Sequence, residues 1–350
     1  MNSFSIDYLL NSCPDKFYNK LKIYTNFLSN TVNYRKITMK VYSPNFCKYS
    51  MNECVPIFYY VIDSIHEHDV DFICNKNIEI YFILLNDKKQ YNGYFDPNSI
   101  NSGFTLFKNG YKPSILIYRF EEWTKVFIHE LIHALNLDSY HQSNISAPRN
   151  INKEWGISED IHIKIYEAFT EMWAIMLFLN YYYPNNKDAY NLECLWAGMQ
   201  ALKFLKLAKW KDHNDYCINR HKNIITQTTA AFEYYYIKFI MLIYYDKIKH
   251  HIKPIIFGEQ NLWTLMIPLM DTDYVKNYFK IINLYKFNCK EKEQNMSFTW
   301  HGQLLTTLKK NKTNKFYKFI GKSNLKYISE KKKTLNKKTP KHVKKTYTKN

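Results

Sequence analysis

The chain reads as an α+β protein, on three observations: apolar residues at three- and four-residue spacing before position 68, three short strand-like segments between 78 and 118, and helical spacing over most of the chain beyond 121. A small mixed sheet is therefore expected between helical regions. With 350 residues, 46% of them hydrophobic and 17% aromatic, the chain can bury a sizeable core, and this excludes wholesale disorder. The bias towards Asn, Lys, Ile and Tyr reads as an AT-rich genome and carries no chemistry.

Taken in order, residues 15–32 and 56–67 carry the amphipathic pattern of helices. Ile78 to Leu85 alternates and then runs apolar, Gly103 to Phe107 is short and bounded by turn residues, and Ser114 to Tyr118 is rich in β-branched and aromatic residues, so each predicts a strand. Asn109-Gly110 is a turn signal that places the second and third strands side by side. A long helix is predicted from about Glu121, with two acids in its first turn, to Asn136. Residues 139–160 are polar, contain Pro148 and Gly156, and read as a loop or insertion; 161–180 is helical again, and further helices follow from Asn191 to about Leu308. The expected division is an N-terminal helical region at 1–75, a main domain at 76–308 and a tail at 309–350.

Charge separates the tail from the rest. From Lys309 to Asn350 sixteen lysines face one acid, Glu330, so this segment carries +15 of the formal +18 and residues 1–308 only +3. The body is nearly neutral, and the tail predicts a solvated, disordered segment able to contact polyanions such as nucleic acid. Seven dispersed cysteines without CxxC spacing predict free thiols in a reducing compartment. No secretory signal and no stretch able to span a membrane is expected, which points to an intracellular protein.

The segment Phe127 to Leu135 contains His-Glu-x-x-His. On a helix, positions four apart differ by about 40° around the axis, so the imidazoles of His129 and His133 can reach one metal ion. Glu130 then lies beside the pair, where its carboxylate can act on water without ligating. A third ligand is offered by Glu167 in Tyr-Glu-Ala-Phe-Thr-Glu-Met-Trp-Ala, 34 residues after His133. That helix is apolar almost all round, and a buried carboxylate is costly unless a cation meets it. Asp138 follows the first helix closely enough to orient a histidine or to shape a turn.

His-Glu-Leu-Ile-His-Ala-Leu followed by Tyr-Glu-Ala-Phe-Thr-Glu-Met-Trp-Ala resembles the paired active-site helices of zincin-fold metallopeptidases of the gluzincin, thermolysin-like type, and the chain is similar overall to metallopeptidases of large DNA viruses. The resemblance covers roughly Ile78 to Met176. It implies a zincin-like fold in which a small mixed sheet with an edge strand packs on the active helix and a mostly helical subdomain follows. It implies Zn²⁺ held by His129, His133 and Glu167, with Glu130 as general base. Glu171 stands where the family usually has Asp, holding a ligand imidazole, and Gly103, Phe104 and Thr105 stand in the edge strand that pairs with an extended peptide or protein substrate. The linker between the helices is longer than usual, and the extra length falls in 139–160. A metzincin reading fails on Asn136 and Ser139, where that pattern needs Gly and His, although His141 remains open as a ligand outside any pattern.

The implied activity is zinc-dependent peptide hydrolysis by an endopeptidase, in the cytoplasm, a virus factory or a virion. An exopeptidase and a non-catalytic polyanion- or virion-binding scaffold are the alternatives. No Gly-Ala-Met-Glu-Asn signature for a free α-amino group is present. Tyr140, His141, His162, Tyr166, His213, His221 and His301 all remain candidates for stabilising an oxyanion.

Overall fold

A computed structural model describes residues 6–64, 76–108, 112–138, 150–248 and 262–284. They belong to a unit spanning 1–300; a second unit, 301–350, and with it the basic tail, lies outside the described residues, as does the Asn109-Gly110 turn.

Two short helices open the chain, α1 (Ile6–Asn11) and α2 (Asp15–Leu21), followed by strands β1 (Leu28–Tyr34) and β2 (Ile37–Ser43). The helix expected over 15–32 thus ends at Leu21. Arg35 and Lys36, both at positive φ (45° and 64°), form a two-residue turn of the kind that matches strand twist, and Tyr34 pairs with Ile37 across it. Neither residue is a usual turn former there, so the hairpin carries no ordinary sequence signal. Helix α3 (Lys48–Asp63) starts eight residues before the expected 56 and runs through Pro56, held by Ile57, Phe58, Val61 and Ile62, all buried. Proline favours a first helical turn, which is why position 56 reads as a start.

Strand β3 (Asn77–Leu85), a short α4 (Pro97–Ile100), β4 (Gly103–Lys108) and β5 (Lys112–Arg119) complete a five-stranded sheet in the order β1-β2-β3-β5-β4. β2, β3 and β5 are parallel, while the two outer strands run antiparallel to their neighbours. Residues 1–75 are therefore not a separate helical region, because they supply two of the five strands.

Both faces of the central strands are covered. On one face Leu9, Leu10, Phe17 and Leu21 of α1 and α2 pack on Tyr81, Ile83, Leu116 and Tyr118. On the other, Phe82 meets Trp123 and Phe127 of α5 (Trp123–Ala134). A strand buried on both faces reads as a continuous apolar run, as β3 does.

Helix α5 begins two residues later than expected. Glu122 precedes it at φ 60°, and the two acids meet Lys89 instead of the helix terminus: Glu122 through the buried ammonium at 2.9 Å, Glu121 through the Lys89 backbone N–H at 2.8 Å. Within the polar 150–160 stretch the chain forms α6 (Ile151–Trp155), while 139–149 lies outside the described residues. Helix α7 (Ile165–Tyr182) crosses α5. Behind them come α8 (Lys187–Leu207), α9 (His213–Asn219), a π-helical turn at Glu233–Ile237 that leads into α10 (Lys238–Ile243), and then α11 (Tyr245–Ile248), α12 (Leu262–Met270) and α13 (Asp273–Leu284). The architecture is α+β, with a small open mixed sheet and several helices. Among the described residues, no helix is long and apolar enough to cross a membrane.

Candidate metal centre

Helix α5 is apolar almost all round and is packed between the sheet and α7, so the two histidines that it carries four residues apart are held in the interior. Their rings lie 4.7 Å apart, and the two Nε2 atoms 3.0 Å apart. Glu167, in the first turn of α7, places Oε2 at 3.5 Å from His129 Nε2 and 3.4 Å from His133 Nε2.

The other ring nitrogens face carboxylates: His129 Nδ1 lies 2.9 Å from Glu171 Oε2, without the alignment of a hydrogen bond, and His133 Nδ1 lies 2.5 Å from Asp138 Oδ2. A carboxylate beside each Nδ1 favours a proton there, and a metal ion that displaces any proton from the two Nε2 atoms would meet their lone pairs. Two imidazole nitrogens and a carboxylate oxygen converge, with all three ligand atoms within 4.8 Å of one another. A positive charge, from a proton or a metal ion, is what such a group draws in. The group can hold a metal ion.

Asp138 reaches His133 because α5 ends in a Schellman cap. Asn136 takes φ 60°, its N–H bonds to His133 O and the Leu137 N–H to Ile132 O, and the chain turns back along the helix end. Thr170 on α7 then bonds its hydroxyl to Asp138 Oδ2. Glu171 is met by a buried cation, Lys125, with Nζ at 2.6 and 2.8 Å from its two oxygens. Lys125 lies one turn before His129 on the same helix, and its place in the apolar run Trp-Thr-Lys-Val-Phe is the one sequence sign of this role.

The charges make the centre receptive to a cation. Burial pulls both imidazoles down, yet Glu167 and Glu171 leave His129 above its ordinary value, and Asp138 and Glu167 leave His133 well above it. Burial pushes Glu167 up, but the two histidines hold it far below the carboxylate range, and Lys125 with His129 does the same for Glu171. Glu130 differs: burial raises its carboxyl, and the histidines and the Thr105 hydroxyl offset this only in part. It stands outside the ligand group.

None of the protein-family models, curated proteins or solved structures with which the chain was compared matches it.

Strand β4 is at the sheet edge and lies against α5. Gly103 permits this approach, since a Cβ there would meet Leu116 O at 2.9 Å and Val126 Cγ1 at 3.0 Å. Phe104 turns to the opposite face and packs near Tyr118, so its side chain does not come to the centre, whereas the Thr105 hydroxyl donates to Glu130 Oε2 at 2.8 Å.

Of the oxyanion candidates, Tyr140, His141 and His301 lie outside the described residues, His162 and His221 are exposed, Tyr166 is half-buried on α7, and His213 is buried against Tyr236 and Phe279. The residue that does come to the centre is Tyr234, absent from that set. Its O–H donates to Glu167 Oε2 at 3.0 Å and its ring lies 5.9 Å from that of His129. Burial, with Glu167 next, holds its phenol protonated well above the usual tyrosine value. The π-helical turn positions it: Glu233 accepts from the Lys164 N–H at 2.7 Å and from Gln227 at 2.8 Å, which ties this turn to the start of α7 and hence to Glu167.

Proposed function

We propose that the chain is a zinc peptidase of zincin-like fold and gluzincin type, an endopeptidase that hydrolyses a polypeptide laid along β4. One observation carries the reading: an Nε2 atom of each imidazole and a Glu167 oxygen converge while Glu130, next to one of the histidines, is kept out of the ligand group and tied to the edge strand. Two histidines and one glutamate are a ligand set of catalytic zinc sites, where an open position remains for water. Zinc bound there supplies Lewis acidity, polarising the scissile carbonyl and making water a competent nucleophile near neutral pH.

The rest is done by the chain's own groups. As the oxygen of water bonds to the carbonyl carbon, Glu130 takes its proton and passes it to the nitrogen as the C–N bond breaks, leaving a carboxylic acid and an amine. Glu171 and Asp138, held by Lys125 and Thr170, stand beside the histidine Nδ1 atoms and favour a proton there when the Nε2 atoms ligate. Tyr234 offers an O–H donor to the oxyanion that develops on the carbonyl. The outer edge of β4 offers backbone groups to an extended substrate by strand addition.

Elemental analysis and cleavage of a quenched-fluorescent peptide mixture test this reading. Glu130→Gln is expected to retain one zinc per chain and lose hydrolysis, and His133→Ala to lose both. Near-wild-type turnover by Glu130→Gln overturns the assignment of the base. A zinc-replete chain that cleaves no peptide overturns the enzyme and leaves a binding scaffold.

A further inference from the structure

An alternating strand places residues 103, 105 and 107 on one face and 104 and 106 on the other. In β4 the odd face is turned to α5, as the contact between Gly103 and Val126 fixes, while Phe104 and Leu106 pack on the α1–α2 side. Register follows from the pairing of Gly103 with Ile117 and Thr105 with Ile115 on β5. Together these put the Thr105 side chain directly over Glu130, with the hydroxyl 2.8 Å from Oε2 and 3.1 Å from the Glu130 carbonyl oxygen. Threonine is branched at Cβ and holds few rotamers, so a hydroxyl on a hydrogen-bonded strand is a stiff anchor.

We propose that Thr105 is a positioning residue: its hydroxyl holds the Glu130 carboxylate in the orientation for proton transfer, so that the strand that receives the substrate also aims the base. This rests on the peptidase reading. The backbone of β4 faces outward to a peptide and the Thr105 side chain faces inward to Glu130, so one residue of one strand sets the distance between scissile bond and base. Pre-organised groups act with less loss on reaching the transition state, and the effect therefore falls on turnover and not on substrate affinity.

The experiment uses the full chain loaded with zinc for kinetics and with Co²⁺ for ligand titration. Thr105→Val removes the hydroxyl at nearly constant shape, and Thr105→Ser restores it. Loss of a hydrogen bond to a charged group predicts a fall in kcat on the order of tenfold for Thr105→Val, with KM and metal content unchanged and with Thr105→Ser recovering most of the loss. Acetohydroxamic acid, too small to pair with β4, shares its proton with the base when it ligates a metal; its binding to the cobalt protein, read from the visible spectrum, should weaken by a similar factor in Thr105→Val alone.

Equal kcat and equal acetohydroxamate affinity in Thr105→Val and wild type overturn the proposal. So does a rise in KM alone, which would make Thr105 a substrate contact. A wild-type chain that cleaves no peptide overturns the peptidase reading, and the acetohydroxamate titration then still decides on Thr105: a loss in Thr105→Val supports its hold on Glu130, and equality overturns it. A chain that takes up no cobalt overturns both.

Discussion

A tyrosine hydroxyl beside a carboxylate that could ligate a metal has two uses, to hold that carboxylate or to meet charge that develops next to it. Tyr234 does the first in the resting structure, at 3.0 Å from Glu167 Oε2. If it also does the second, Tyr234→Phe should lower kcat by about 10²-fold, the usual cost of losing one oxyanion donor, with zinc content unchanged. A mere hold on Glu167 would show instead as weaker metal binding at nearly constant kcat, so steady-state kinetics at saturating zinc tell the two apart. His129, Glu130 and His133 are legible in the sequence because their relation is local, fixed by spacing on one helix. Glu167 is legible because an acid in an apolar helix demands a partner. Thr170 and Tyr234 are not, and Lys125 shows only as a lysine in an apolar run, since each acquires its role only when a second element brings its partner within reach.

Among the elements, β4 positions most for its length. It is six residues long, closes one side of the sheet and lies against α5 over Gly103. Gly103→Ala would push a Cβ onto Leu116 O and Val126, and backbone has little room to yield, so a loss of about 1–3 kcal/mol in unfolding free energy is expected in denaturant titration. Activity should fall further than stability, because the strand that shifts carries Thr105. The strands at 78–85, 103–107 and 114–118 were visible in the sequence to within two residues, as alternation and β-branching declare them. The hairpin β1–β2 was not, because its turn is Arg-Lys and its first strand follows α2 without a Gly or Pro break. The late start of α5 was hidden for a different reason. Acids before an apolar run read as a helix N-terminus, and only the fold shows that Lys89 claims them.

At the scale of the whole molecule, the helical remainder behind α7 has a pH-dependence of its own. His213 is 2% exposed, bonded through Nε2 to Tyr236 Oη at 2.9 Å and stacked on Phe279 at 4.2 Å. Burial chiefly pulls its imidazole down, from 6.5 to about 4. The unfolded chain thus takes up this proton first as pH falls. The contribution is complete above about pH 6.5 and is lost between there and about pH 4, amounting to about 3 kcal/mol. Thermal melts across that window should show a steeper acid loss for wild type than for His213→Asn, and parallel curves would contradict it. The division at 1–75 was misjudged at the same scale, since a sheet is assembled from distant segments and its membership is not a local property.

Among the described residues β4 has a strand neighbour on one side only, and this bears on how the molecule behaves in bulk. An unpaired strand edge accepts any extended backbone, that of a second copy of the same chain included, and Phe107, 40% exposed on that strand, adds an adhesive contact. Crowded copies therefore meet at one template, and colloidal stability becomes tied to how much of that edge is occupied.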